Sequence, residues 1–140
     1  EDADLNEEEK EEQENLLRDI PKMTPAERMQ KALKGNKQAR MMLIRDRNRV
    51  VYSAVLTSPK TTEGDVESFT AMRNISPEVL RIIGGKREWT KKYSVAHELV
   101  KNPLTPIEVS MKHITRLSAM DLKRLTRDRG VPEIIRRQAK

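Results

Sequence analysis

Apolar residues in this chain recur in short clusters at helical spacing, and polar turns rich in Pro, Gly, Asn and Asp separate them. The starts are sharply marked. Thr24-Pro25-Ala26-Glu27 sets a capping Thr before a first-turn Pro and a Glu at the third helical position, the pattern of a capping box. Thr105-Pro106-Ile107-Glu108 repeats it, Ser76-Pro77-Glu78 is a close variant, and Thr62 to Asp65 and Ser118 to Asp121 carry a weaker form. Gly35-Asn36, Gly84-Gly85 and Asn102-Pro103 supply stops. These marks predict helices near 25–34, 37–45, 49–57, 63–72, 77–83, 87–101, 106–115, 119–127 and 132–139. Along the longest, Trp89, Tyr93, Ala96 and Val100 share one helical stripe. Arg49–Leu56 is β-branched enough to mimic a strand, but its place between two helix signals predicts a buried helix. Helices of two turns are unstable alone, so neighbours must hold each one. The predicted fold class is all-α, with short stacked helices forming a solenoid or a compact helical domain.

The chain also resembles itself. Ser58-Pro59-Lys60-Thr61-Thr62 parallels Asn102-Pro103-Leu104-Thr105-Pro106 at a spacing of 44, and Leu43 to Asn48 parallels Leu125 to Gly130 at a spacing of 82. In each unit a helix ends, an Asp or Asn ties the turn, Pro prevents continuation, and the next helix starts. At Leu43, Asp46, Val51, Ala54, Val55, Ser58, Pro59 and Thr61 the chain resembles the leucine-rich repeat variant family, within the wider class of HEAT-like helical repeats. Leu99, Asn102, Pro103, Thr105, Pro106 and Val109 match the second half of that family's unit, and Leu125, Asp128, Ile134, Arg136 and Ala139 its first half with some slippage. The resemblance covers roughly residues 40–140 and extends to bacterial proteins of this class. It implies a fold, and no particular activity. The segment Gly84 to Trp89 is extra to the pattern, which leaves both a regular superhelix and a compact bundle open.

Charge changes this picture more than size does. Residues 1–16 hold nine acidic residues and one base, a net −8, which leaves +14 for the rest of a chain whose total is +6. The expected organisation is an acidic flexible tail or frayed helix over residues 1–15, followed by a basic helical-repeat domain over 16–140. Leu16, Leu17 and Ile20 are expected to dock on the first repeat and close its apolar end. Aromatic residues make up only 3%, so aliphatic and Met side chains must fill the core. Met41, Met42, Met72, Met111 and Met120 suit that use, or an adaptable groove. There is no Cys, which removes disulfide and thiol chemistry and fits a reducing, cytoplasmic setting. No apolar run approaches the roughly 18 residues needed to span a bilayer. The sequence opens at Glu1 without Met, which leaves an upstream piece open.

Catalytic chemistry is poorly supplied. His97 and His113 sit beside apolar positions without metal-ligand spacing, and read as core-edge or surface histidines. Gly84-Gly85-Lys86 lacks the upstream Gly of a phosphate loop and reads as a helix-ending turn. No nucleophile elbow is present. The expectation is no enzyme, no catalytic residue, no cofactor and no metal. The strongest functional candidates are cations at turns: Arg45, Arg47 and Arg49 around one turn, Arg127 and Arg129 around its counterpart, with Lys86, Arg87, Lys91 and Lys92 as an extension. Arg at helix ends suits bidentate contact with anionic oxygens, although cations there also offset helix dipoles. No interleaved aromatics point to base stacking. Trp89 is a candidate interface anchor, with a core position as the plainer reading. The expected function is a non-catalytic, protein-binding helical-repeat adaptor or scaffold. The second reading is nucleic-acid or ribosome binding through the Arg/Lys-bearing turns, modulated by the acidic tail.

Overall fold

The computed structural model describes residues 5–140. Among these it is all-α, with eleven α-helices and no strand. The helices fall into two compact units, which divide after Thr61.

The first unit contains α1 (Glu7–Asp19), α2 (Pro25–Lys34), α3 (Lys37–Leu43) and α4 (Arg49–Thr57), with a 3-10 turn at Ile20–Lys22. Of the two expectations for the acidic stretch, a flexible tail or a frayed helix, it is helical from Glu7 onward; residues 1–4 lie outside the described residues. The cause is local. Asn6 caps α1 by accepting the Glu9 N–H at 2.8 Å, and the three glutamates of the first turn are favoured by the helix dipole. Leu16 is buried as expected, but Leu17 is 62% exposed. Arg49–Thr57 is the buried helix that its flanking signals predict, with Val51, Tyr52, Ala54, Val55 and Leu56 inside.

The C-terminal turn of α2 is closed by side chains from later in the chain. Ser58 Oγ donates to Leu33 O at 3.0 Å, Lys60 Nζ to Lys34 O at 2.9 Å, and the buried Arg40 Nη1 to Gly35 O at 3.2 Å. These carbonyls have no partner within the helix, and two cations sit where the helix dipole is negative.

The second unit contains α5 (Glu63–Thr70), α6 (Pro77–Gly84), α7 (Arg87–Thr90), α8 (Tyr93–Lys101), α9 (Ile107–Ile114), α10 (Ala119–Leu125) and α11 (Glu133–Ala139). The expected helix over 87–101 is broken, because Lys92 is extended (φ −75°, ψ 123°). Each half then orients by its own burial. α8 buries Val95, Ala96, Leu99 and Val100, so Trp89 is off that face and Tyr93 is 41% exposed. Val100, Ile114, Leu117, Leu125, Val131 and Ile135 form one core cluster at the C-terminal end, with Met111 and Leu122 packed against it.

Two caps depart from expectation. Thr105 does not start α9. It is buried, its N–H goes to Asn102 O at 3.1 Å, and Glu108 pairs with Arg81 instead of returning to the cap. Conversely, Thr62 and Asp65 form a full capping box, with bonds of 3.1 and 3.0 Å.

Candidate functional site

The turn between α3 and α4 sorts its side chains by alternation. Asp46 and Asn48 face inward and lock the backbone. Asp46 Oδ1 accepts the Asn48 N–H at 2.8 Å, and Asn48 Oδ1 accepts the Val50 N–H at 2.9 Å. Asp46 Oδ2 also lies 3.3 Å from Arg28 Nε, a part-buried ion pair that ties the turn to α2. Arg45, Arg47 and Arg49 are left outward and exposed, and none makes an ion pair with a described residue. Val50, one residue further, is 55% exposed. The result is a rigid turn that presents three guanidinium groups beside an aliphatic side chain. The three arginines were legible as candidates. Val50 and the locking roles of Asp46 and Asn48 were not singled out as parts of a surface, although Asp-x-Asn is a sequence signal for such a turn.

The counterpart between α10 and α11 is locked in the same way, with Asp128 Oδ1 accepting the Gly130 N–H at 2.9 Å. Arg127 and Arg129 flank it, both exposed. Ile134, on the first turn of α11, is 50% exposed while Ile135 is fully buried. The remaining cations are placed differently. Lys86 stacks its ammonium 4.7 Å above the Trp89 ring, and Lys92 pairs with Glu67 at 2.9 Å. Arg87 and Lys91 are exposed. Trp89 is half-buried, with the Lys86 ammonium over its ring. The structure thus brings Arg45, Arg47 and Arg49 together on one turn, whereas Lys86, Arg87, Lys91 and Lys92 lie on and around the short helix α7. Arg127 and Arg129 are on a second turn.

A second correspondence lies at the helix ends. Asn102, 1% exposed after α8, donates from Nδ2 to Thr70 O at 2.8 Å and Met72 O at 2.7 Å, and its Oδ1 accepts the Leu104 N–H at 3.0 Å. Ser58 after α4 performs the same task, donating to Leu33 O and accepting the Lys60 N–H at 3.3 Å. In both units the residue before Pro fastens its own turn and the end of an earlier helix.

The histidines have structural partners. His113 is 4% exposed, with Nε2 3.0 Å from Gly84 O and Nδ1 3.4 Å from Arg116 Nη1. Burial holds its imidazole below the ordinary value, despite the Gly84 carbonyl. The neutral tautomer that carries hydrogen on Nε2 satisfies both neighbours. His97 stacks on Tyr93, with ring centroids 6.1 Å apart, and lies 3.9 Å from Asp121. Among the described residues no three His, Cys, Asp or Glu side chains gather to hold a metal. No described helix is long and apolar enough to cross a membrane. A shallow depression along α2 is lined by Met23, Glu27, Gln30, Lys31, Lys34 and Gly35. Compared with known protein families, curated proteins and solved structures, the chain matches none.

Proposed function

We propose that this protein is a non-catalytic helical-repeat adaptor of the cytoplasm that docks another protein through its Arg-bearing turns. One observation carries the reading: the α3–α4 turn spends its acidic and amide side chains on rigidity and leaves Arg45, Arg47, Arg49 and Val50 outward. A pre-ordered turn loses little entropy on binding. Guanidinium groups beside an exposed aliphatic side chain suit a protein segment that carries both carboxylates and apolar residues. The paired locks at Asp46 and Asp128, and the paired fasteners Ser58 and Asn102, support a repeat of the leucine-rich repeat variant or HEAT-like kind.

The second reading, nucleic-acid or ribosome binding, is favoured by one feature. The Arg-flanked lock recurs at Arg127 and Arg129, and repeated cations suit a phosphate backbone. The test captures ligands from native lysate at low and high salt, with and without nuclease. The adaptor reading expects a discrete protein that survives nuclease, weakens with salt because its guanidinium contacts are screened, and is lost in a chain carrying Arg45→Glu, Arg47→Glu, Arg49→Glu and Val50→Glu. Recovery of nucleic acid only at low salt would overturn it in favour of the second reading.

A further inference from the structure

The first unit keeps its charge in two separate places. Residues 1–19 hold ten acidic and two basic residues, whereas residues 20–61 hold two acidic and ten basic, so the unit is neutral and offers a copy of itself no net repulsion. On α1 the acid faces outward. Glu7, Glu11 and Glu14 are exposed and follow the i, i+4, i+7 spacing of one helical stripe. None of them makes an ion pair with a described residue. The helix holds seven acidic and two basic residues, and one of those bases, Arg18, is taken up by Asp19 and Asn15. Leu17, one turn beyond Glu14, is 62% exposed. The outer face of α1 is thus a row of three carboxylates followed by an aliphatic side chain. The α3–α4 turn carries the complementary row in the same order, Arg45, Arg47 and Arg49 followed by Val50. The rows also agree in length. Glu7 to Glu14 covers roughly 10 Å at the helical rise, and the four-residue step from Arg45 to Arg49 covers at most about 14 Å. Within one chain no ion pair joins the two rows, so each faces outward to another molecule.

We infer that the α3–α4 turn takes the outer face of α1 from a second copy of this chain, with Glu7, Glu11 and Glu14 on Arg45, Arg47 and Arg49, and Leu17 against Val50. The inference rests on the reading of that turn as a protein-docking surface, and it names a segment that meets its chemistry: carboxylates beside an apolar residue. The order of the rows sets the direction of the contact, since a reversed α1 places Leu17 against Arg45 and Glu7 against Val50. Exposed ion pairs are individually weak, so the contact is transient and strongest at low ionic strength.

The test is charge exchange in full-length chains, read by sedimentation velocity over a concentration series at low and high salt. One chain carries Glu11→Arg and Glu14→Arg, the other Arg47→Glu and Arg49→Glu. Glu7 is left in place because a cation in the first turn opposes the helix dipole. All four altered positions are exposed, so both chains should keep the helical circular dichroism of the unaltered one. The unaltered chain should self-associate reversibly, and less so at high salt. Each altered chain alone should associate at least about 10-fold more weakly. Mixed in equal amounts the two should associate again, because the reversed α1 of one matches the reversed turn of the other; a chain that had merely misfolded would not recover in this way. A monomer at every concentration, association that ignores both reversals, or a mixture that stays monomeric would each overturn the inference. Capture from lysate separates it from the docking reading. A foreign protein that is lost with Arg47→Glu and Arg49→Glu, from a chain that stays monomeric, would overturn the second copy as occupant and leave the docking reading in place. Charge-matched self-association with no captured protein would support the second copy and overturn the foreign partner.

Discussion

The Tyr93 hydroxyl completes a helix cap that Asp121 belongs to. It accepts the Ser118 N–H at 2.9 Å and donates to the Asp121 carboxylate. In a capping box the carboxylate at the third helical position would take that N–H itself. Here Ser118 Oγ accepts the Asp121 N–H at 3.2 Å, as expected, while the return bond runs through a side chain on α8. The relay fastens α10 to α8 and holds the Asp121 carboxyl below the usual carboxylate range, chiefly through the Tyr93 bond.

Removing that hydroxyl leaves the N–H and the carboxylate without their shared partner. Tyr93→Phe should therefore lower stability by about 1–2 kcal/mol, as measured by urea unfolding. A double-mutant cycle with Asp121→Asn should show coupling between the two sites. The pH sign is set by the depressed pKa. The contribution is present above the ordinary Asp value of about 3.9 and is lost as pH falls through the lower folded value. Tyr93→Phe should weaken that acid dependence, and an unchanged acid limb would count against the relay.

His113 predicts a second pH window with the same direction but a different origin. Burial lowers its folded pKa, and the nearby Arg116 and Lys112 act in the same sense. The unfolded chain then binds the proton more readily, so stability should fall as pH drops below about 6.5 and level off below the folded value. His113→Gln keeps a donor for Gly84 O and should abolish this dependence between pH 7.5 and 5. A persisting slope would place its source elsewhere.

Gly84 is required by packing rather than by backbone conformation. A Cβ there would lie 2.4 Å from Val109 Cγ1, where α6 meets α9. Gly84→Ala should cost about 1–3 kcal/mol through overpacking. Combining it with Val109→Ala should recover part of the loss, and strictly additive losses would refute the contact.

Asn102 and Ser58 make graded predictions. Asn102→Ala leaves the Thr70 and Met72 carbonyls without the amide that joins them, and each buried group left unpaired costs about 1–3 kcal/mol. Ser58→Ala removes one bond to Leu33 O and should cost about 1 kcal/mol. Thermal or urea unfolding should rank Asn102→Ala as the more damaging.

Much of the local structure was legible. The starts of α2, α5, α6 and α10 were marked by Thr24-Pro25, Thr62, Ser76-Pro77 and Ser118, because a cap acts within four residues and its signal lies in the sequence itself. The Asp46 and Asp128 turns and the outward arginines were legible for the same reason. So was the all-α class, since no segment alternates as a half-buried strand does. What the tertiary structure decided were matters of competition between distant groups. Glu108 left its cap for Arg81, Tyr93 entered the cap of another helix, and Lys92 broke the longest predicted helix, so that Trp89 and Tyr93 share no face. Local propensity sets which conformations are inexpensive, but for helices this short packing and long-range hydrogen bonds choose among them.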